Sequence, residues 1–141
     1  MTTTLDLRIS EAAAAATDAR SRAYAPYSDF PMGAAVIAGD GTIVAGVLVE
    51  NVSLGLAMCA ERVALFSAVT AGIKPEVLAL CSRRTGDELT FPCGACLQVA
   101  LEIAGPELVV VAIDPDGERA HHELGALLTK APKRHTPDFS S

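Results

Sequence analysis

Two apolar stretches of helical length in this chain each open on a cysteine, and that pairing limits what the rest can fold into. The first begins at Met58-Cys59-Ala60-Glu61-Arg62, the second at Pro92-Cys93-Gly94-Ala95-Cys96. A zinc ion that keeps one position open for water needs three protein ligands, and thiolates from Cys59, Cys93 and Cys96 supply that number. The chain must therefore bring two helix starts, distant in sequence, to one point. Glu61 lies two residues after the lone cysteine, so its carboxylate can stand beside the metal without joining the ligands, where a proton carrier is needed. Zinc with three thiolates carries a net negative charge, which calls for compensation. Arg62 is the candidate donor to the sulfurs, and the two helix N-termini add partial positive charge at the same place.

The pattern around these motifs alternates helix and strand. Leu5 to about Ala23 reads as an alanine-rich helix. Gly33 to Ala38 and Thr42 to Glu50 read as a hairpin through Gly39-Asp40-Gly41, both strands largely buried. A helix from about Cys59 to Ala71 is closed by Gly72. A third strand covers Val77 to Ser82, followed by the polar loop Arg83 to Glu88 and strand-like Leu89-Thr90-Phe91. Pro92 holds Phe91 extended and introduces a helix from Gly94 to about Ile103, ended by Gly105-Pro106. Glu107 to Ile113 is a fourth strand, and Ala120 to Leu128 holds a short fifth strand and a closing helical turn. This order predicts an α/β fold, a three-layer α-β-α sandwich on a five-stranded mixed sheet, formed by one domain spanning the 141 residues.

Composition narrows the function. The net charge of -6 argues against gripping a phosphate backbone, so the expected partner is a small uncharged molecule and not nucleic acid. Lys130, Lys133, Arg134 and His135 read as a solvated basic tail. No apolar run is long enough for a membrane span, and the start at Met1 lacks signal-peptide features, so the expected location is the cytoplasm. Cys81, isolated in an apolar strand, reads as core filling. His121, His122 and His135 read as surface or interface histidines and not as ligands. Tyr24, Tyr27 and Phe30 either line a pocket or plug the edge of the core. Glu50 at a strand end suits hydroxyl binding, whereas Asn51 reads as a turn cap.

Four motifs in this order resemble the cytidine deaminase family in its small homotetrameric form. They are Tyr24-Ala25-Pro26-Tyr27-Ser28-Asp29-Phe30-Pro31-Met32-Gly33-Ala34-Ala35, Glu50-Asn51-Val52-Ser53, Cys59-Ala60-Glu61-Arg62 and Pro92-Cys93-Gly94-Ala95-Cys96-Leu97-Gln98-Val99. The resemblance runs from about Ala23 to Ile113. It implies a zinc-dependent hydrolase of pyrimidine salvage that converts cytidine or deoxycytidine to the uridine product and ammonia. A water activated at the metal attacks C4, and Glu61 carries protons to N3 and to the leaving amino group. It also implies that Phe30 lies against the pyrimidine, Glu50 binds a ribose hydroxyl, backbone at Ala60 and Phe91 holds the ring's polar edge, and subunit contacts complete each site.

The chain departs from that pattern around the sugar. The family's Asn-x-Glu-Asn is Leu48-Val49-Glu50-Asn51 here, which removes an amide from the ribose and weakens cytidine binding by about 1 kcal/mol or more. The usual tyrosine before the catalytic helix is Leu54, the serine before Pro92 is Phe91, and the arginine after the last cysteine is Leu97. The familiar Leu-Leu-Pro ending is replaced by Leu128-Thr129-Lys130. A relative acting on a modified cytosine nucleoside or another aminated heterocycle, as blasticidin S deaminases do, is the alternative this pattern leaves open. Two others fare worse. A structural zinc module normally presents four protein ligands and has no use for Glu61, and a nucleic-acid deaminase needs basic and aromatic surface that an acidic chain without tryptophan lacks.

Overall fold

A computed structural model of the chain describes residues 2–132. Lys133, Arg134 and His135 of the expected basic tail lie outside the described residues. The first helix, α1 (Thr4–Arg20), starts with a capping box in which Thr3 Oγ1 accepts from the Asp6 amide at 3.0 Å while Asp6 accepts from the Thr3 amide at 3.2 Å. It ends at Ser21, short of Ala23, because the backbone then turns to pair Tyr24 with Val49.

The sheet has the order β2-β1-β3-β4-β5, with β1 (Gly33–Ala38), β2 (Ile43–Val47), β3 (Pro75–Cys81), β4 (Val109–Ile113) and β5 (Arg119–Glu123). β3 and β4 are parallel and the other pairs antiparallel, so the five-stranded mixed sheet has the expected character. Every residue of β1 is buried, whereas β2 keeps only Gly46 fully buried. The expectation that both hairpin strands are buried therefore fails for β2, which is an edge strand covered on one face alone. β2 also stops at Val47 instead of continuing to Glu50; Val49 makes only isolated bridges to Tyr24 and Met58. Leu89-Thr90-Phe91 forms no strand.

Alternation along the strands sorts the core into two layers. On one face Ala35, Ile37, Val77, Ala79, Cys81 and Val111 meet the alanine stripe Ala12, Ala13 and Ala16 of α1. The small side chains let that helix lie close, and Cys81 is fully buried among them. On the other face Ala34, Val36, Leu78 and Val110 meet Ala60, Ala64, Leu65 and Ala68 of α2 (Ala60–Ala71) and Leu97 and Ala100 of α3 (Gly94–Ala104). A last turn, α4 (Leu124–Leu127), buries Leu124 against the same layer. Helices thus cover both faces, and α2 and α3 start at the same end of the sheet, beyond the C-terminal ends of β2 and β3.

Candidate active site

Both cysteine-led helices use the cysteine itself as N-cap. Cys59 precedes α2 with φ -67° and ψ 146°, and Cys93 precedes α3 with φ -68° and ψ 166°, each extended and neither spending its sulfur on a cap hydrogen bond. Cys96 lies one turn into α3. The three sulfurs lie within 4.8 Å of one another, with Cys93 Sγ and Cys96 Sγ 3.6 Å apart. Two sulfurs on tetrahedral directions at the usual zinc–sulfur length of about 2.3 Å stand about 3.8 Å apart. The thiols present therefore fit a zinc ion.

The electrostatics agree with that fit. Arg62 Nη2 donates to Cys59 Sγ at 3.4 Å. A hydrogen bond from the Cys96 thiol, then Arg62, outweigh burial and bring Cys59 down to about 5, while the same contact with Cys59 pushes Cys96 up. Arg62 in turn is held charged, first by Cys59. Two helix N-termini pointing at one spot favour thiolate in the same way.

Glu61 is 2% exposed, and its Oε1 has no hydrogen-bond partner among the described residues. Burial first, then the Cys59 charge, push its carboxyl up to about 6 against the pull of its own amide, Cys96 and Arg62. A buried carboxylate with an open oxygen costs free energy unless something is to meet it. Its place is the first turn of α2, two residues after a sulfur that faces the same space.

The other expected contacts divide. Ala60 is the buried first residue of α2. Glu50 Oε1 accepts from the amides of Tyr27 at 3.0 Å and Ser28 at 3.2 Å, and Ser28 first, then these amides, hold its carboxyl below the usual range despite burial. Half-buried Leu48 donates its amide to Met32 O at 3.0 Å and accepts from Tyr24 N at 2.9 Å, so strand end and aromatic loop are stitched together. Phe30 is half-buried under the Arg83 guanidinium, 4.5 Å from the ring centroid. Phe91 turns its ring toward His122, 5.4 Å between centroids, and packs on the core layer of α2 and α3. Leu54 sits on a short 3-10 turn and is 85% exposed. Tyr24 and Tyr27 are exposed and do not plug the core. His121 and His122 lie on β5, outside the thiol group.

In the sequence Arg83 reads only as part of a polar loop. Its contact with Phe30 joins residues from different loops, and nothing local in Arg83-Arg84-Thr85-Gly86 signals it. A cavity of about 450 Å³ does exist at the opposite end of the sheet, lined by Leu5, Pro75, Leu108 and Glu123 among others, but it contains none of these chemical groups. The chemistry marks the site better than the volume does.

Residues 8–113 match the family model for the cytidine and deoxycytidylate deaminase zinc-binding region. The chain belongs to the cytidine and deoxycytidylate deaminase family. A cytidine deaminase of Sporosarcina psychrophila is 40% identical over 114 residues, covering 80% of this chain and 82% of that one. The crystal structure of cytidine deaminase from Burkholderia pseudomallei aligns with a TM-score of 0.78 at 43% identity, covering 84% of this chain and 94% of that one. That from Mycobacterium tuberculosis aligns with a TM-score of 0.72 at 37% identity, over 86% of this chain and 94% of its own. Membership of this deaminase family makes the chain an enzyme, a hydrolase of C–N bonds, and the α-β-α layering is the family's fold.

Proposed function

We propose that this deaminase acts on cytidine or deoxycytidine, replacing the exocyclic amino group by oxygen and releasing ammonia. The observation that carries the reading is a buried, open carboxylate oxygen of Glu61 beside three converging thiols at two helix starts. Relatives at 40% and 43% identity are named cytidine deaminases, which supports the substrate class.

Cys59, Cys93 and Cys96 would hold zinc, whose Lewis acidity makes a water nucleophilic near neutral pH. Arg62 orients the Cys59 sulfur and offsets the excess negative charge. Glu61 accepts a proton from the attacking water and passes it to N3 of the pyrimidine. It then carries the water's second proton to the amino group, which leaves as ammonia once the C4–N bond breaks. A carboxyl near 6 is mostly ionised at neutral pH yet basic enough for both transfers. Phe30 would lie along the ring, and backbone at Ala60 and Phe91 would hold its polar edge. Glu50 would offer its second oxygen to a ribose hydroxyl, its first being held by loop amides.

A second reading has one observation in its favour. Leu48, whose backbone is held beside Glu50 by its bonds to Met32 and Tyr24, would present an aliphatic group at the sugar end, so a modified cytosine nucleoside or another aminated heterocycle would suffer less from the missing amide than cytidine does.

Val52, Leu54 and Leu56 are 80%, 85% and 70% exposed, more apolar surface than a lone chain leaves in one short segment. This suits an interface between copies of the chain, such as the homotetramer that the family resemblance implies. Four cysteines free of disulfides suit a reducing, cytoplasmic setting for such an enzyme of pyrimidine salvage. No described helix is long and apolar enough to cross a membrane.

The test is ammonia release from a panel of cytidine, deoxycytidine, modified cytosine nucleosides and free bases. Turnover of cytidine or deoxycytidine is expected. Release from the modified compounds alone would select the second reading, and release from none would overturn both.

A further inference from the structure

We infer that Arg83 is a positioning residue that fixes the ring of Phe30 in the attitude that meets the substrate, an inference that rests on Phe30 lying against the pyrimidine as proposed above. The loop from Tyr24 to Met32 is anchored at several points. Glu50 holds the amides of Tyr27 and Ser28, Arg20 Nε donates to Pro31 O at 3.2 Å, and Leu48 N donates to Met32 O at 3.0 Å. These bonds hold backbone on either side of the aromatic ring and leave its rotation free. Arg83 supplies what they do not. Its guanidinium lies over the ring at 4.5 Å, while Nη2 donates to the carbonyl of Asp29, the preceding residue and 54 positions from Arg83 in sequence.

Arginine suits this double contact because the guanidinium is planar, so one side chain stacks through its face and donates through its edge. Asp29 adopts φ 52°, a left-handed conformation that costs a non-glycine residue free energy. The Arg83 bond to its carbonyl helps offset that cost and links backbone conformation to ring attitude.

Arg83 itself projects from a braced segment. Its carbonyl accepts from Ser82 Oγ at 3.0 Å and Thr90 Oγ1 at 2.8 Å. The next side chain, Arg84, reaches the opposite way, to Asp114 at 3.0 Å, to Asp87 O at 2.9 Å and to Glu118. Asp114 is 5% exposed and also accepts from the amides of Asp116 and Glu118, so the anchor lies in the β4–β5 turn and not in solvent. The loop so held runs directly into Pro92 and Cys93. Arg83 therefore ties the aromatic loop to the segment that delivers two of the three thiols. One face of Phe30 is covered by the guanidinium, and the substrate meets the other face or the edge.

Two measurements test this together. Because the chain has no tryptophan, Phe30→Trp installs a single reporter at the ring. In that background Arg83→Gln is expected to raise the acrylamide quenching constant about twofold, as loss of a cation–π contact frees the ring. In the otherwise unchanged enzyme, Arg83→Gln is expected to raise KM for cytidine about 3- to 10-fold with kcat within about twofold and a melting temperature lowered by no more than a few degrees, because ring contact is made in ground and transition states alike. Arg83→Lys, which keeps charge but not the plane, should recover less than half of the loss. The inference stands if both quenching and KM move; if either stays at the wild-type value, it is overturned. Should the wild type release no ammonia from cytidine, the substrate reading fails on its own, and the quenching constant still decides whether Arg83 positions the ring.

Discussion

Replacing Gly46 by alanine perturbs the site through one backbone contact. Gly46 lies on the covered face of β2, and an added Cβ would stand 2.5 Å from Ala64 N and 2.6 Å from Ala60 O, both backbone atoms of α2. Ordinary contact begins at 3.4 Å, so the start of α2 must retreat by about 0.9 Å, the gap between 2.5 and 3.4 Å. Overpacking of this kind costs about 1–3 kcal/mol, a fall in melting temperature of roughly 3–12 °C for a chain of this size. The retreating turn carries Cys59 and Glu61, and misplacement by about 1 Å costs on the order of 100-fold in rate. Gly33 provides the matched control. A Cβ there would meet Ala16 O and Arg20 N at 2.4 Å, an equal clash, but on α1 across the sheet. Zinc content by metal analysis and kcat/KM by ammonia release should fall sharply in Gly46→Ala, whereas Gly33→Ala should lose comparable stability and retain its zinc. Equal loss of zinc in the two variants would refute the idea that β2 positions the metal through α2.

Glu61→Gln should keep about one zinc per chain and lose at least about 100-fold in kcat, since the thiols are untouched and the proton carrier is gone; near-normal turnover would remove Glu61 from the mechanism. Leu48→Asn should lower KM for cytidine if the side chain faces the sugar, and an unchanged KM would place it elsewhere. The amides of Glu118 and Asp116 and the Arg84 guanidinium overcome burial and hold Asp114 below the usual carboxylate range. A lowered folded pKa contributes stability that is present above about 4 and lost as pH falls below it, so the melting temperature should drop as pH falls below about 4, less steeply in Asp114→Asn. Leu54→Glu with Leu56→Glu should shift sedimentation toward smaller species, and an unchanged profile would mean that this segment is not an interface.

The sequence announced its helices better than its edges. Cys59, Gly72, Cys93 and Gly105 mark helix ends by local chemistry, and α2 and α3 follow them within a few residues. Burial of β2 is not legible locally, because Ile43 to Val49 is apolar throughout and whether a strand is central or at an edge depends on partners that the strand does not encode. The thiol group was readable because C-x-x-C fixes two ligands one turn apart and Pro92 fixes the entry to α3. Glu50 reads in sequence as a hydroxyl ligand, and its hold on two amides of the aromatic loop through one oxygen has no local signal. Arg83 was silent, since a contact spanning the β3–α3 loop and the Phe30 loop arises only when the sheet brings both to one end.

Deamination here requires three sulfurs and a proton carrier around an open metal position. X-ray absorption at the zinc edge of the purified protein measures this directly. Three sulfur neighbours at about 2.3 Å with one oxygen neighbour is the expected shell. Four protein ligands, whether a fourth sulfur or a histidine nitrogen, would contradict it.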